Sequence, residues 1–283
     1  MRILVTGGSG RLGQFVLAEL IANGHEAINA DRRPGPPDGP AASYVETDLG
    51  NVGAVAGVLA SCDGVIHLGA IPGPYGNADE VVFGNNTAST YAVLQAAHLL
   101  GIRRAVIASS CSAYGMAWTR HPFPPRFAPL DETHPLLVAD PYGLSKEVDE
   151  RTAEMFHRRN GMQVIALRFQ WVALPVELDA LARQGGVDPA TSANNLWSYV
   201  DARDAASACR LALEADGLGF EAMNITAADT LCTAPTEDLI ARHLPDTEVR
   251  DPIEGFGSGF SIKRAEELIG WVPEYSWRDW LRN

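Results

Sequence analysis

Over its first 110 residues the chain alternates two kinds of segment, and this alternation constrains the fold more than any other feature. Strand-like apolar runs stand at Arg2 to Thr6, Glu26 to Asp31, Tyr44 to Thr47, Gly64 to Leu68 and Arg104 to Ser109, with helix-like stretches between them. Runs such as Arg-Ala-Val-Ile-Ala show no in-out alternation, as expected of parallel strands buried on both faces. Helical spacing is clearest from Asn86 to Leu100, where Val93, Leu94, Ala97 and Leu100 share a face and Gly101 supplies a stop. The pattern specifies an α/β fold, a doubly wound parallel sheet with helices on both faces.

A proline-rich stretch from Trp118 to Pro135 is too long for a turn and is expected to act as a lid or substrate loop. A helix from Tyr142 to Asn160 and a strand from Gln163 to Phe169 follow, and then the alternation loosens. We therefore expect a main domain over 1–170 and a small C-terminal substrate region over 171–283. Within the latter, 199–215 reads as a strand plus helix returning to pack on the main domain, and Lys263 to Ile269 as another helix.

Composition removes several functions. The net charge is −13 and the acidic residues are scattered, so nucleic acid, which needs a basic surface, is not an expected partner. No run of about 18 apolar residues suits a membrane span. Glycines interrupt the apolar N-terminus, and no cleavage site follows it, so a cytoplasmic location is expected. Cys62, Cys111, Cys209 and Cys232 are too widely spaced for CxxC or zinc-ligand motifs and read as reduced thiols. His67 has no second ligand at metal spacing and reads as a strand residue at the ligand site; no metal is expected.

The chemistry begins at Thr6-Gly7-Gly8-Ser9-Gly10-Arg11-Leu12-Gly13, after a strand and opening a helix. Glycines there allow a tight turn and a close approach to a pyrophosphate, while the helix N-terminus offers unpaired amides. Asp31 lies eighteen positions beyond Gly13 and closes the second strand. A carboxylate at that point accepts hydrogen bonds from ribose hydroxyls and repels a 2′-phosphate, which favours NAD over NADP. The following Arg32 and Arg33 are the features that would suit NADP.

The second motif is Tyr142-Gly-Leu-Ser-Lys146 on the expected helix. Four-residue spacing sets both side chains on one face, where an ammonium lowers the phenol's pKa and equips it to exchange a proton with a substrate hydroxyl. Ser109-Ser110-Cys111-Ser112-Ala113-Tyr114-Gly115 ends the fifth strand, where a doubly wound sheet opens its ligand crevice.

With these motifs the chain resembles the extended short-chain dehydrogenases/reductases, the NAD-dependent epimerase/dehydratase family, built on a Rossmann fold. The resemblance extends through Asp48-Leu49, His67-Leu68-Gly69-Ala70, Asn85 opening a helix, Leu167-Arg168-Phe169, Tyr199-Val-Asp-Ala-Arg-Asp204 and Leu268-Ile-Gly-Trp-Val-Pro273. It implies that Gly7, Gly10, Arg11, Leu12 and Gly13 surround the pyrophosphate of NAD. Asp31 and Arg32 would border the adenosine ribose, and Asp48 and Leu49 the adenine. Leu68, Gly69, Ala70 and Asn85 would line the dinucleotide path, and Phe169 would lie beside the nicotinamide. Tyr142 becomes the acid/base, Lys146 the ribose-binding residue that tunes it, and Ser110 the residue that orients the substrate oxygen. The resemblance also implies a homodimer built from the helices over 86–100 and 142–160.

The departures from the family narrow the reaction. Ser110 is followed by Cys111 and Ser112 rather than the Asp-Glu pair of dehydratases, which disfavours dehydration. Trp171 stands where nucleotide-sugar epimerases place an asparagine, and only some 24 residues separate Pro175 from Val200, which favours a smaller substrate. Cys111, Ser112 and Trp171 are the candidate substrate residues, with Arg183 and Arg203 as the cations a sugar carboxylate would need. The expected activity is an NAD-dependent dehydrogenase acting on a secondary alcohol of a sugar or sugar acid. The alternatives are a nucleotide-sugar 4-epimerase that retains its NAD and a non-catalytic dinucleotide-binding regulator.

Overall fold

Strands that are apolar on both faces need helices above and below, and this chain supplies them in sequence. The computed structural model describes residues 1–282. Its first half runs β1 (Arg2–Thr6), α1 (Arg11–Ala22), β2 (Glu26–Asp31), β3 (Ser43–Glu46), α2 (Val52–Leu59), β4 (Gly64–His67), α3 (Asp79–Leu99) and β5 (Arg104–Ser110). There follow β6 (Phe127–Ala128), α4 (Pro141–Asn160), β7 (Gln163–Phe169), β8 (Trp171–Ala173), α5 (Pro175–Gln184), β9 (Tyr199–Asp201) and α6 (Ala202–Glu214). The remainder holds β10 (Phe220–Ile225), α7 (Thr236–His243), β11 (Glu248–Val249) and α8 (Lys263–Ile269).

Seven strands form one sheet in the order β10-β7-β5-β4-β1-β2-β3, and every pairing is parallel. The winding reverses between β1 and β4, where Thr6 is in register with His67, so the crevice opens at the carboxyl ends of those strands. Alternate residues of β1 serve opposite faces. Ile3 and Val5 join Val16, Leu17 and Leu20 of α1 and the alanine-rich inner face of α6. Leu4 joins Val93, Leu94 and Ala97 of α3 and Ala153 and Phe156 of α4. Fully burying each large apolar side chain contributes about 1.5–3 kcal/mol, and this two-faced core holds helix α4 against the sheet.

Three features differ from the sequence reading. First, α3 begins at Asp79, seven residues before Asn86. Asp79 and Glu80 favour a helix N-terminus, and Gly84 is carried inside at about 1 kcal/mol. Asn85 therefore lies within the helix and does not open it. Second, the stretch from Trp118 to Pro135 is not one free loop. Phe127 and Ala128 pair with Glu248 and Val249, and Leu130 bridges to Phe260. Its second half is strapped to a separate core formed by Tyr114, Leu130, Trp197, Ile240 and Phe260. Third, more of the chain returns to the main sheet than 199–215. β10 becomes the strand next to β7, and Ala265, Ile269 and Trp271 join the core of the face that α6 covers.

Candidate active site

The glycine turn is built by close backbone contact. Gly7 has φ +70°, and a Cβ there would lie 2.7 Å from the Gly69 nitrogen, so the turns after β1 and β4 touch. A Cβ on Gly13 would lie 2.3 Å from the Gly7 carbonyl oxygen, which seats α1 directly on the turn. A Cβ on Gly10 would meet only that oxygen, at 3.1 Å, and otherwise faces open space. A cleft of about 280 Å³ results, lined by the expected Gly7, Gly10, Asp31, Arg32, Leu49, Leu68, Gly69, Ala70 and Asn85. Gly50, Ile71, Ala88 and Ser89 also line it and were not foreseen. A backbone cradle at a helix N-terminus, flanked by a carboxylate and apolar walls, fits a dinucleotide.

At one end of the cleft the Asp31 carboxylate accepts hydrogen bonds from the Ser9 amide at 3.2 Å and the Arg32 amide at 2.7 Å. The Arg32 guanidinium donates to Asn85 Oδ1 at 3.3 Å. Arg33 is exposed, and its carbonyl accepts from the Ser9 hydroxyl.

Other expected cofactor residues are engaged elsewhere. The Arg11 guanidinium pairs with Glu177 of α5 at 2.6 Å, Leu12 packs on the main core, and Asp48 Oδ1 accepts from the Gly50 amide at 3.1 Å. Phe169 closes β7, and its ring is buried in the main core rather than in the cleft wall.

Tyr142 and Lys146 lie on one face of α4, with Nζ 5.8 Å from the centre of the Tyr142 ring. Asp140 caps the helix by accepting from the Gly143 amide, and Pro141 follows in the first turn, where proline is favoured. A Cβ on Gly143 would lie 2.8 Å from the Ser112 carbonyl oxygen, so the start of α4 touches the turn after β5. Ser110 caps that turn by accepting from the Ser112 amide at 3.1 Å. Its hydroxyl proton stays free to donate to a substrate oxygen.

The candidate substrate residues part company. Ser112 accepts from the Trp118 indole at 3.0 Å, and Trp118 meets Tyr75 edge to face at 5.3 Å. Trp171 opens β8 with its side chain 43% exposed. The Cys111 thiol donates to the Arg168 carbonyl and packs in the C-terminal core, and burial pushes its pKa up. It follows Ser110 into a tight turn whose inner side faces that core.

Sequence reasoning missed the buried polar scaffold. Asn86 bonds the Ile71 backbone through both Oδ1 and Nδ2 and donates to Ser145 of α4, tying the loop after β4 to the catalytic helix. His67 is held by Thr6 at Nδ1 (2.7 Å) and by Thr90 at Nε2 (3.2 Å). Burial, reinforced by the charge of Lys146, drives its pKa down to about 3, which keeps the ring neutral. Beneath Ser110, Glu150 accepts from Ser109 and takes a two-point contact from Arg168, which also donates to Tyr114. The available signal was a set of polar residues at helical positions that otherwise face the core.

Comparison with known proteins agrees with this geometry. Residues 3–226 match the profile of the NAD dependent epimerase/dehydratase family. UDP-glucose 4-epimerase of Lacticaseibacillus casei is 26% identical over 320 residues, covering 97% of this chain and 92% of that one. Uronate dehydrogenase of Pseudomonas putida is 30% identical over 169 residues, 59% of each chain. A short-chain dehydrogenase/reductase superfamily protein from Agrobacterium tumefaciens, solved with bound NAD, superposes with a TM-score of 0.76 at 23% identity, covering 100% of this chain and 95% of that one. The chain belongs to the NAD-dependent epimerase/dehydratase family.

Proposed function

We propose that the protein is an NAD-dependent dehydrogenase that oxidises a secondary hydroxyl of a sugar or sugar acid. The observation that carries this reading is the arrangement of Ser110, Tyr142 and Lys146 where α4 meets the turn after β5, next to a cleft that fits a dinucleotide. When bound, the dinucleotide supplies a nicotinamide ring that accepts the hydride. Ser110 donates to the substrate oxygen and orients it. Tyr142 takes the hydroxyl proton, and the Lys146 ammonium favours the phenolate that does so.

A small substrate is supported by how the cations of the C-terminal region are used. Arg183 is paired with Asp179, and Arg203 with Asp201 while stacked 3.4 Å over the Tyr275 ring. Arg203 is thereby committed within the protein, whereas the exposed Arg183 pair is weak enough to exchange for a sugar carboxylate. The 4-epimerase remains the second reading because the match to the L. casei epimerase runs nearly end to end. Nucleotide content of dialysed, then denatured, protein separates them. A dehydrogenase purifies empty and binds added NAD reversibly, whereas near-stoichiometric retained NAD would overturn the first reading in favour of the epimerase.

The reading includes a homodimer formed through α3 and α4. Tyr91, Leu99 and Leu144 are exposed apolar residues on those helices. A monomeric sedimentation profile at assay concentration would remove it. It also includes a cytoplasmic location, which the separately buried thiols of Cys111, Cys209 and Cys232 suit. No helix among the described residues is long and apolar enough to cross a membrane.

A further inference from the structure

Lys146 is 3% exposed, an extreme position for an ammonium that must act on Tyr142. A buried cation needs a counter-charge and hydrogen-bond acceptors, or it loses its charge. Two acceptors are present, the Ala108 carbonyl at 2.8 Å and Asp149 Oδ2 at 3.3 Å. Asp149 lies three residues along the same helix, is 1% exposed, and has no other cation within salt-bridge distance. Apart from Lys146 the carboxyl is met by the Thr90 hydroxyl of α3, and among the described residues Oδ1 completes no hydrogen bond of good geometry. A buried carboxylate oxygen short of good hydrogen bonds costs stability, and an apolar residue would fill a core-facing helix position at no such cost. The position therefore calls for a role beyond packing.

The surroundings make the pairing specific. Adjacent in sequence, Glu150 is committed to Arg168, so each buried cation has its own carboxylate. Thr90 of α3 faces the Asp149 carboxyl and also bonds His67 of β4, which in turn bonds Thr6 at the start of the glycine turn. The titratable groups packed about Asp149 are thus Lys146 and Glu150 from its own helix, the neutral His67 behind Thr90, and Arg168 of β7 beyond Glu150. We propose that Asp149 is the internal counterion and anchor of Lys146, a positioning residue that sets how strongly the ammonium acts on the Tyr142 phenol. The proposal rests on the roles given to Tyr142 and Lys146 in the proposed function. Burial pushes the Asp149 pKa up and the Lys146 ammonium opposes that; the carboxylate in turn keeps Lys146 protonated and, with the Ala108 carbonyl, holds Nζ in place. Removing the charge leaves the ammonium buried without a counter-charge, so Lys146 gives up its proton more readily and the positive potential that favours the Tyr142 phenolate weakens.

The test needs no substrate. The full-length protein is labelled with 13C at tyrosine Cζ and titrated by NMR, and Tyr142 is identified by the resonance missing from Tyr142→Phe. Asp149→Asn should move the Tyr142 titration to higher pH, with about tenfold less phenolate at a given pH below its midpoint. Asp149→Glu, which restores a carboxylate, should return the midpoint toward wild type. An unmoved or lowered Tyr142 midpoint in folded Asp149→Asn overturns the proposal. Should that variant not fold, Asp149→Ser, which leaves room for water beside Lys146, is read in the same way. Because turnover plays no part in the measurement, a failed search for dehydrogenase activity leaves its result intact. The converse also holds, since NAD retention says nothing about Asp149.

Discussion

Glu150 and Arg168 meet below the active site in a two-point ion pair, Oε1 to Nε at 2.8 Å and Oε2 to Nη2 at 2.7 Å, with both side chains 6% exposed. This pair joins helix α4 to strand β7, and Ser109 and Tyr114 complete it. Removing one partner strands a buried charge, which costs about 3–5 kcal/mol. We expect Glu150→Gln to lower the urea midpoint by a corresponding amount, and the double variant Glu150→Leu with Arg168→Met to lose less than either single change. A single variant as stable as wild type would show that the pair does not hold α4 in place.

Tyr142→Phe should fold, bind NAD with unchanged affinity by calorimetry and lose turnover by about 10²–10⁴-fold, the usual worth of a positioned acid/base. Normal turnover in this variant would refute the assignment of Tyr142.

In the proposed function Asp31 would direct cofactor choice, through a carboxylate fixed by the Ser9 and Arg32 amides. Charge-assisted hydrogen bonds to the ribose are worth about 1.5–3 kcal/mol. Asp31→Ser should therefore cost tenfold or more in kcat/KM with NAD while relieving repulsion of a 2′-phosphate. A wild-type enzyme that works better with NADP would contradict the role given to Asp31.

Two glycines of one turn should fail differently. At Gly13 a methyl group would sit 2.3 Å from the Gly7 carbonyl oxygen, so Gly13→Ala should destabilise the fold by about 1–3 kcal/mol. At Gly10 the methyl group has room in the protein but occupies the pyrophosphate's approach. Gly10→Ala should melt near wild type and bind NAD poorly. Parallel melting curves and binding isotherms distinguish the two.

Two buried groups should shape the pH dependence of stability in opposite senses. Burial holds His67 at about 3, below its usual 6.5, so the native state carries fewer protons than the unfolded chain between those values. Its contribution is full above about pH 6.5 and is lost as pH falls toward 3. Asp204 accepts from the Glu274 and Tyr275 amides, yet burial raises its pKa from 3.8 to about 6, and the native state binds more protons across that window. Its contribution is present at low pH and is lost as pH rises from about 4 to 6. Urea denaturation at several pH values should show His67→Gln flattening the acid-side loss relative to wild type. Asp204→Asn should remove the opposing slope; parallel pH profiles for wild type and both variants would refute the account.

Much of the site was legible because its determinants are local. The glycine turn, Asp31 at a strand end and the Tyr142–Lys146 spacing each depend on a few adjacent residues, and the strands Arg2–Thr6, Glu26–Asp31 and Gln163–Phe169 stand where their apolar runs end. The start of α3 was misplaced because Gly84 obscures a helix that tertiary packing completes, although Asn85 lines the cleft as expected. The packing of Cys111 was not legible, because nothing in the adjacent residues tells which side of the turn after Ser110 faces the C-terminal core.

By itself, then, the sequence determined the periodicity, hence the doubly wound sheet, and the residue types that proton transfer and pyrophosphate binding require. Tertiary structure decided which carboxylate answers which buried cation, Asp149 for Lys146 and Glu150 for Arg168, although the two are neighbours on one helix. It also decided that Phe220–Ile225 completes the sheet and that Phe127–Ala128 is bound by Glu248–Val249. The physical reason is range. Backbone conformation follows from residues a few positions apart, whereas burial, ion pairing and strand addition depend on groups that meet only after the chain has closed long loops, 191 residues between Glu19 and Arg210.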